Sequence, residues 1–164
     1  MSLNVTAGKV CEIVTQVTDY RLTPDNFRQW RNRGLFHPIF REAQNTWSRF
    51  GKLDIFEACV MAEAKRSGFS IGKAAQIARI GRDFGPGGIN SRSGADMLVL
   101  FGDGSLDEDE SDRPLSLHSF DYAKAALLIT GEDDQKGPAR ILVMIDIGQM
   151  HRRLDTTLRE MGLD

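Results

Sequence analysis

Thr23-Pro24-Asp25-Asn26-Phe27-Arg28-Gln29-Trp30-Arg31-Asn32-Arg33-Gly34 is the stretch that decides the fold. A threonine hydroxyl accepts from an orphan N–H of the first helical turn, and a proline in that turn lacks a donor that would be unsatisfied anyway. Asp25 complements the positive end of the helix dipole. Phe27, Trp30 and Arg31 share one face, whereas Asp25, Arg28, Gln29 and Asn32 share the other. Gly34 suits the left-handed residue that closes a helix, and Pro38 follows. The spacing predicts a helix from Pro24 to just before Gly34, its aromatic face inward.

Working outward, Val10, Ile13, Val14 and Val17 recur at helical spacing and predict a helix over Lys9 to Thr18. Two short helices joined by a turn, the second with Arg, Gln and Asn outward, describe a helix-turn-helix. Leu35 to Arg41 and Thr46 to Phe50, around the polar Glu42 to Asn45, read as two strands: a β-ribbon wing. A third helix opens near Gly51 and runs through Leu53, Phe56, Val60 and Ala64 to Ser67-Gly68. Ser70 caps a fourth, Ile71 to Ile80, with Ala74, Ile77 and Ala78 as its apolar stripe.

Residues 8–80 resemble the DNA-binding domain of the MerR (mercury-resistance regulator) family. Thr23-Pro24, Phe27-Arg28-Gln29-Trp30, Gly34-Leu35-Phe36 and Pro38 match its capped recognition helix in order and spacing. Arg41 falls where the family has an arginine entering the wing, Trp47 to Phe50 on its wing strand, and Gly68-Phe69-Ser70-Ile71 on the link between its later helices. Three departures stand out: Thr18 to Leu22 lacks the usual turn glycine, and Ser48 and Phe50 replace a wing arginine and tyrosine. The resemblance implies binding of duplex DNA. Arg28, Gln29 and Asn32, with Asn26, are candidates for reading base edges in the major groove, where such side chains pair with donors and acceptors. Arg31, Arg33, Arg41, Arg49 and Lys52 suit phosphate positioning, and Thr23 and Asn45 complete the candidate set. Phe27 and Trp30 read as core, and Arg31 also suits covering that core with its stem. Trp47 fits either wing packing or a backbone contact.

The charge distribution supports this division. Over 164 residues the net charge is −2, but residues 1–82 carry +6 and residues 83–164 carry −8. Residues 21–52 hold seven bases against two acids, Asp25 and Glu42, a footprint that a polyanion favours. Apolar residues make up 41% and charged residues 27%, enough apolar surface to exclude a disordered chain. No apolar run approaches membrane-spanning length, and Met1 to Thr6 has no signal-like pattern. Cys11 and Cys59 lie in helix-like contexts without a partner motif, as expected of buried thiols in a reducing cytoplasm.

Five glycines and a proline between Gly81 and Gly94 read as a linker. The expected division is therefore a winged helix-turn-helix domain over 1–80 (four helices plus a β-ribbon wing), a linker over 81–95, and a small α+β domain over 96–164. In the last, Met97 to Phe101 and Ile141 to Ile145 read as strands, with a further short strand at Leu115 and Leu117. Ser119 caps a helix or a strand toward Ile129, and a final helix spans His151 to Met161 with Met150, Leu154, Leu158 and Met161 on one face. No sustained heptads follow, unlike the long dimerisation helix of many MerR-family members.

Catalytic patterns are missing from the sequence. The acidic run Asp107 to Asp112 lacks the alternation and glycine of a calcium loop, and His118 and His151 have no ligand partners at metal spacing. Asp146 follows a strand without a nucleophile or base, and no dinucleotide, P-loop or nucleophile-elbow motif occurs. The expectation is a non-enzyme with no cofactor and no metal. The leading reading is a cytoplasmic, sequence-specific transcriptional regulator that binds duplex DNA as a homodimer. Its C-terminal domain would dimerise the protein or take a protein or small-molecule effector. Two alternatives stand: an excisionase-like or architectural DNA-bending factor, and a winged-helix module that binds an acidic protein or the chain's own Asp107–Asp112 loop.

Overall fold

The computed structural model describes residues 3–36, 49–86, 97–102 and 141–163. These form helices α1 (Ala7–Thr18), α2 (Pro24–Asn32), α3 (Lys52–Arg66) and α4 (Ile71–Phe84), strands β1 (Met97–Gly102) and β2 (Ile141–Asp146), and helix α5 (Ile147–Glu160). The described chain is mostly helical, and its N-terminal part is all helix apart from one bridge. Outside the described residues lie the wing segment 37–48, the glycine-rich 87–96, and 103–140 with the acidic run, the Leu115–Leu117 strand and the element after Ser119.

Each early helix starts on the cap its sequence supplies. Thr6 caps α1, Thr23 caps α2 by accepting from the Asn26 N–H at 3.2 Å, and Ser70 caps α4 by accepting from the Lys73 N–H at 3.3 Å. Gly51 has no side chain to offer α3; instead the Asp54 carboxylate accepts the Gly51 N–H at 2.8 Å. Between α1 and α2 the chain turns without a glycine. Asp19 takes the left-handed conformation (φ 58°), which a short polar side chain tolerates better than a bulky one. Hydroxyls hold the turn: Thr18 Oγ1 accepts from the Tyr20 N–H at 3.3 Å, and Thr15 Oγ1 from the Leu22 N–H at 3.2 Å.

Central to the packing is α3, buried from Asp54 to Ala62 and again at Ala64. Helices α4 and α1 both pack against it. Around α2 an aromatic cluster closes the core: Phe27 stacks obliquely on Phe36 (5.1 Å between centroids) and Phe50 (5.3 Å), and edge-on to Trp30 (6.4 Å). The Phe50 ring is fully buried and serves the core. Phe50 also pairs with Val5 in an antiparallel bridge, each N–H reaching the other's carbonyl at 3.1 Å.

Two features extend beyond the sequence reading. The fourth helix does not end at Ile80; it continues through Phe84, into the segment read as linker. Arg82 explains the extension, because its guanidinium pairs with the buried Glu57 carboxylate of α3 at 2.7 Å. Gly81 and Gly85 are buried there, and a Cβ on Gly85 would collide with the Gly81 carbonyl and sit 3.2 Å from both Phe56 and Ile147. Gly85 is dictated by space, not by looseness.

The second feature is the seat of α5. Strands β1 and β2 pair antiparallel, Met97 opposite Asp146 through Gly102 opposite Ile141, and β2 leads directly into α5. The apolar stripe of α5 (Met150, Leu154, Leu158) packs on α1 and α3 within the same buried cluster that holds Phe27 and Trp30. The apolar stripe of α5 is therefore covered within the chain.

Candidate nucleic-acid interface

Helix α2 presents the candidate site. Its nine residues make about 13 Å of helix at 1.5 Å each. Phe27 and Trp30 anchor it from below, which leaves Asp25, Arg28, Gln29, Asn32 and Arg33 exposed and Asn26 half-buried. Three of the four base-reading candidates thus project together from one arc, with Asn26 at its margin.

The helix ends where predicted, by a specific backbone closure. Gly34 takes φ 67°, its N–H donates to Arg31 O at 3.0 Å, and the Leu35 N–H reaches back to Trp30 O at 3.0 Å. This six-to-one and five-to-two pattern needs a left-handed residue between its two bonds, which glycine adopts at little cost.

Individual roles divide on closer view. The Thr23 hydroxyl is engaged as the helix cap. Arg28 donates to Asp25 at 2.6 Å while both side chains remain largely exposed, so the pair orients the guanidinium without burying it. Arg31 is half-buried, its guanidinium carbon 5.5 Å from the centre of the Phe50 ring, a cation–π contact that makes it part of the core cover. Arg49 is exposed. Lys52 is held by Asp155 of α5 at 2.5 Å, which ties the start of α3 to the final helix. Arg41 and Asn45 lie outside the described residues. The arrangement brings Arg28, Gln29, Asn32 and Arg33 together and sets Arg31 and Lys52 to structural work.

Two groups at this site carry no local sequence signal. Arg79 of α4 donates from Nη2 to the Gly34 carbonyl at 3.3 Å, across 45 residues of chain. His151 of α5 stands 3.6 Å from Asp155 and meets the Phe56 ring edge-on at 5.5 Å. Burial pushes the His151 imidazole below its usual value, with Lys52 and Arg152 acting in the same direction and Asp155 against them.

Elsewhere, both cysteines are free and buried, and burial raises their thiols above the usual range. Among the described residues no cluster of His, Cys, Asp and Glu side chains is placed to hold a metal ion, and no helix is long and apolar enough to cross a membrane. A cavity of about 250 Å³ lies between the ends of α1 and α3 and the start of α5. Its wall combines Arg66 and Arg153 with Glu63 and Asp146, so its charge is mixed. The chain matches no protein-family model and no curated protein.

Proposed function

We propose that this protein binds duplex DNA in a sequence-dependent manner by laying α2 in the major groove, and that it acts as a transcriptional regulator of MerR type. The observation that carries the reading is the exposed arc Arg28, Gln29, Asn32 and Arg33 on a short helix whose opposite face is locked into the core. A groove about 12 Å wide admits a helix, and arginine and amide side chains at its surface match guanine and adenine edges in pairs. The neighbouring Arg49 adds an exposed positive charge of the kind that meets phosphate.

One helix of nine residues reads few base pairs, so operator-level discrimination calls for two copies on a pseudo-palindromic site. Because the α5 stripe is already covered, the dimer contact is drawn from other surface. Selection of binding sequences from a randomised duplex pool tests the reading directly. The expected result is an enriched motif with two related half-sites, bound in a salt-dependent manner. Binding that rises with duplex length and shows no motif would instead support an architectural DNA-bending role. Absence of salt-dependent duplex binding would overturn both in favour of a protein-interaction module.

A further inference from the structure

We propose that Arg79 is a positioning residue for α2. Its grip on the Gly34 carbonyl fixes the tilt at which the Arg28–Asn32 face meets the groove, and so sets discrimination between sequences more than overall affinity. The inference rests on the DNA-binding reading above. A nine-residue helix is too short to hold its own direction in water, so its orientation comes from what it touches. Phe27 and Trp30 grip it near its middle, which resists translation better than tilt.

The two ends are restrained differently. Before the first turn, the Leu22 N–H is bound to Thr15 Oγ1 of α1 at 3.2 Å. Beyond the last turn, the Gly34 carbonyl is bound by Arg79, whose own helix is packed against α3. A tilt of roughly 8° about the centre of a helix this long would move either end by about 1 Å, and bidentate pairing to a base edge tolerates only about half that. The planar guanidinium suits the task, since it reaches the carbonyl with one N–H in a fixed geometry. Arg79 is exposed, so it contributes little to the core itself.

The test uses the full chain, its selected duplex and an unrelated duplex, each titrated over a range of salt, together with amide hydrogen exchange at Gly34 and Leu35. For Arg79→Ala, the ratio of specific to non-specific affinity is expected to fall about tenfold. The slope of log affinity against log salt stays unchanged, and the Gly34 and Leu35 amides exchange faster. Arg79→Lys, which keeps charge and a donor, recovers part of the ratio. A slope reduced by about 0.9 with equal loss on both duplexes would make Arg79 a phosphate contact and overturn the proposal. Unchanged ratio and unchanged exchange would overturn it as well. If the parent chain binds no duplex, the DNA reading fails and the specificity claim with it. The exchange rates still report the tether, so the two failures are distinguishable.

Discussion

Glu57 of α3 and Arg82 of α4 form an ion pair of 2.7 Å in which the carboxylate side chain is 1% exposed and the guanidinium 17%. Burial raises the Glu57 carboxyl to about 7, against the lowering effects of Arg82 and Arg79. A group whose folded value lies above its unfolded value of 4.5 binds extra proton in the native state between the two. Its contribution is therefore complete below pH 4.5 and lost as pH rises through about 7. Chemical denaturation of Glu57→Gln should lose this dependence, whose full span is of order 3 kcal/mol. Arg82→Ala should cost about 3 kcal/mol at pH 8, where a buried carboxylate is left unpaired, and clearly less at pH 5, where Glu57 is protonated.

His151 titrates with the opposite sign. Its lowered value means that the neutral imidazole is favoured in the fold, so its contribution is present above the ordinary histidine value and lost as pH falls through the folded one. Followed by NMR of the ring protons, the His151 value should fall further in Asp155→Ala and rise in Lys52→Ala, since Asp155 raises it and Lys52 lowers it. Movement in the reverse direction for either variant would break the assignment of the cluster. Asp155→Ala should cost no more than about 1 kcal/mol, because the Lys52 pair is partly exposed.

Gly85 and Gly8 should respond oppositely to alanine. The Gly85 Cβ would run into the Gly81 carbonyl of the same helix end and press on the Phe56 and Ile147 side chains, so Gly85→Ala should disrupt the last turn of α4 at a cost of roughly 2–3 kcal/mol. Gly8 lies in α1 with nothing within 4 Å of an added Cβ, and Gly8→Ala should stabilise by about 0.5 kcal/mol through the unfolded chain. Thermal melts of the two variants beside the parent check both signs.

Arg28 and Arg31 differ by three positions and should separate cleanly. Arg31→Ala removes the cation over Phe50 and should lower stability by about 1 kcal/mol while leaving duplex preference intact. Arg28→Ala should leave stability within about 0.5 kcal/mol. Its affinity for the selected duplex should fall about tenfold or more, with far less effect on unrelated duplex. Equal loss on every duplex would reduce Arg28 to a phosphate contact.

Much of the helical scaffold was legible because its signals are local. Thr23-Pro24, Gly34, Ser70 and Gly68 mark ends through backbone chemistry within four or five residues, and the runs at 97–101 and 141–145 do form β1 and β2. The extension of α4 past Ile80 was illegible because a glycine argues locally for an end, whereas the Glu57 carboxylate that holds Arg82 lies 25 residues upstream. Asp19 in the left-handed region was hidden for a related reason: hydroxyls of Thr15 and Thr18, not a glycine, shape that turn. At the candidate site, the outward face of α2 followed from periodicity. The engagement of Lys52 by Asp155 and of Gly34 by Arg79 did not, since neither partner lies near in sequence.

The docking of α5 on α1 also has a consequence for how the chain is made. Arg153 reaches back to the Gln16 carbonyl at 3.4 Å and to Asp19 at 3.5 Å, contacts that join residues more than 130 positions apart. While the ribosome is still synthesising the middle of the chain, α1 and α3 have an uncovered seam where Leu154 and Leu158 belong. The first four helices emerge early and with short-range contacts, which favours rapid collapse, but their core closes only when α5 arrives. A nascent or truncated chain is then left with an apolar groove along its first helix, a liability to aggregation that the finished protein does not share.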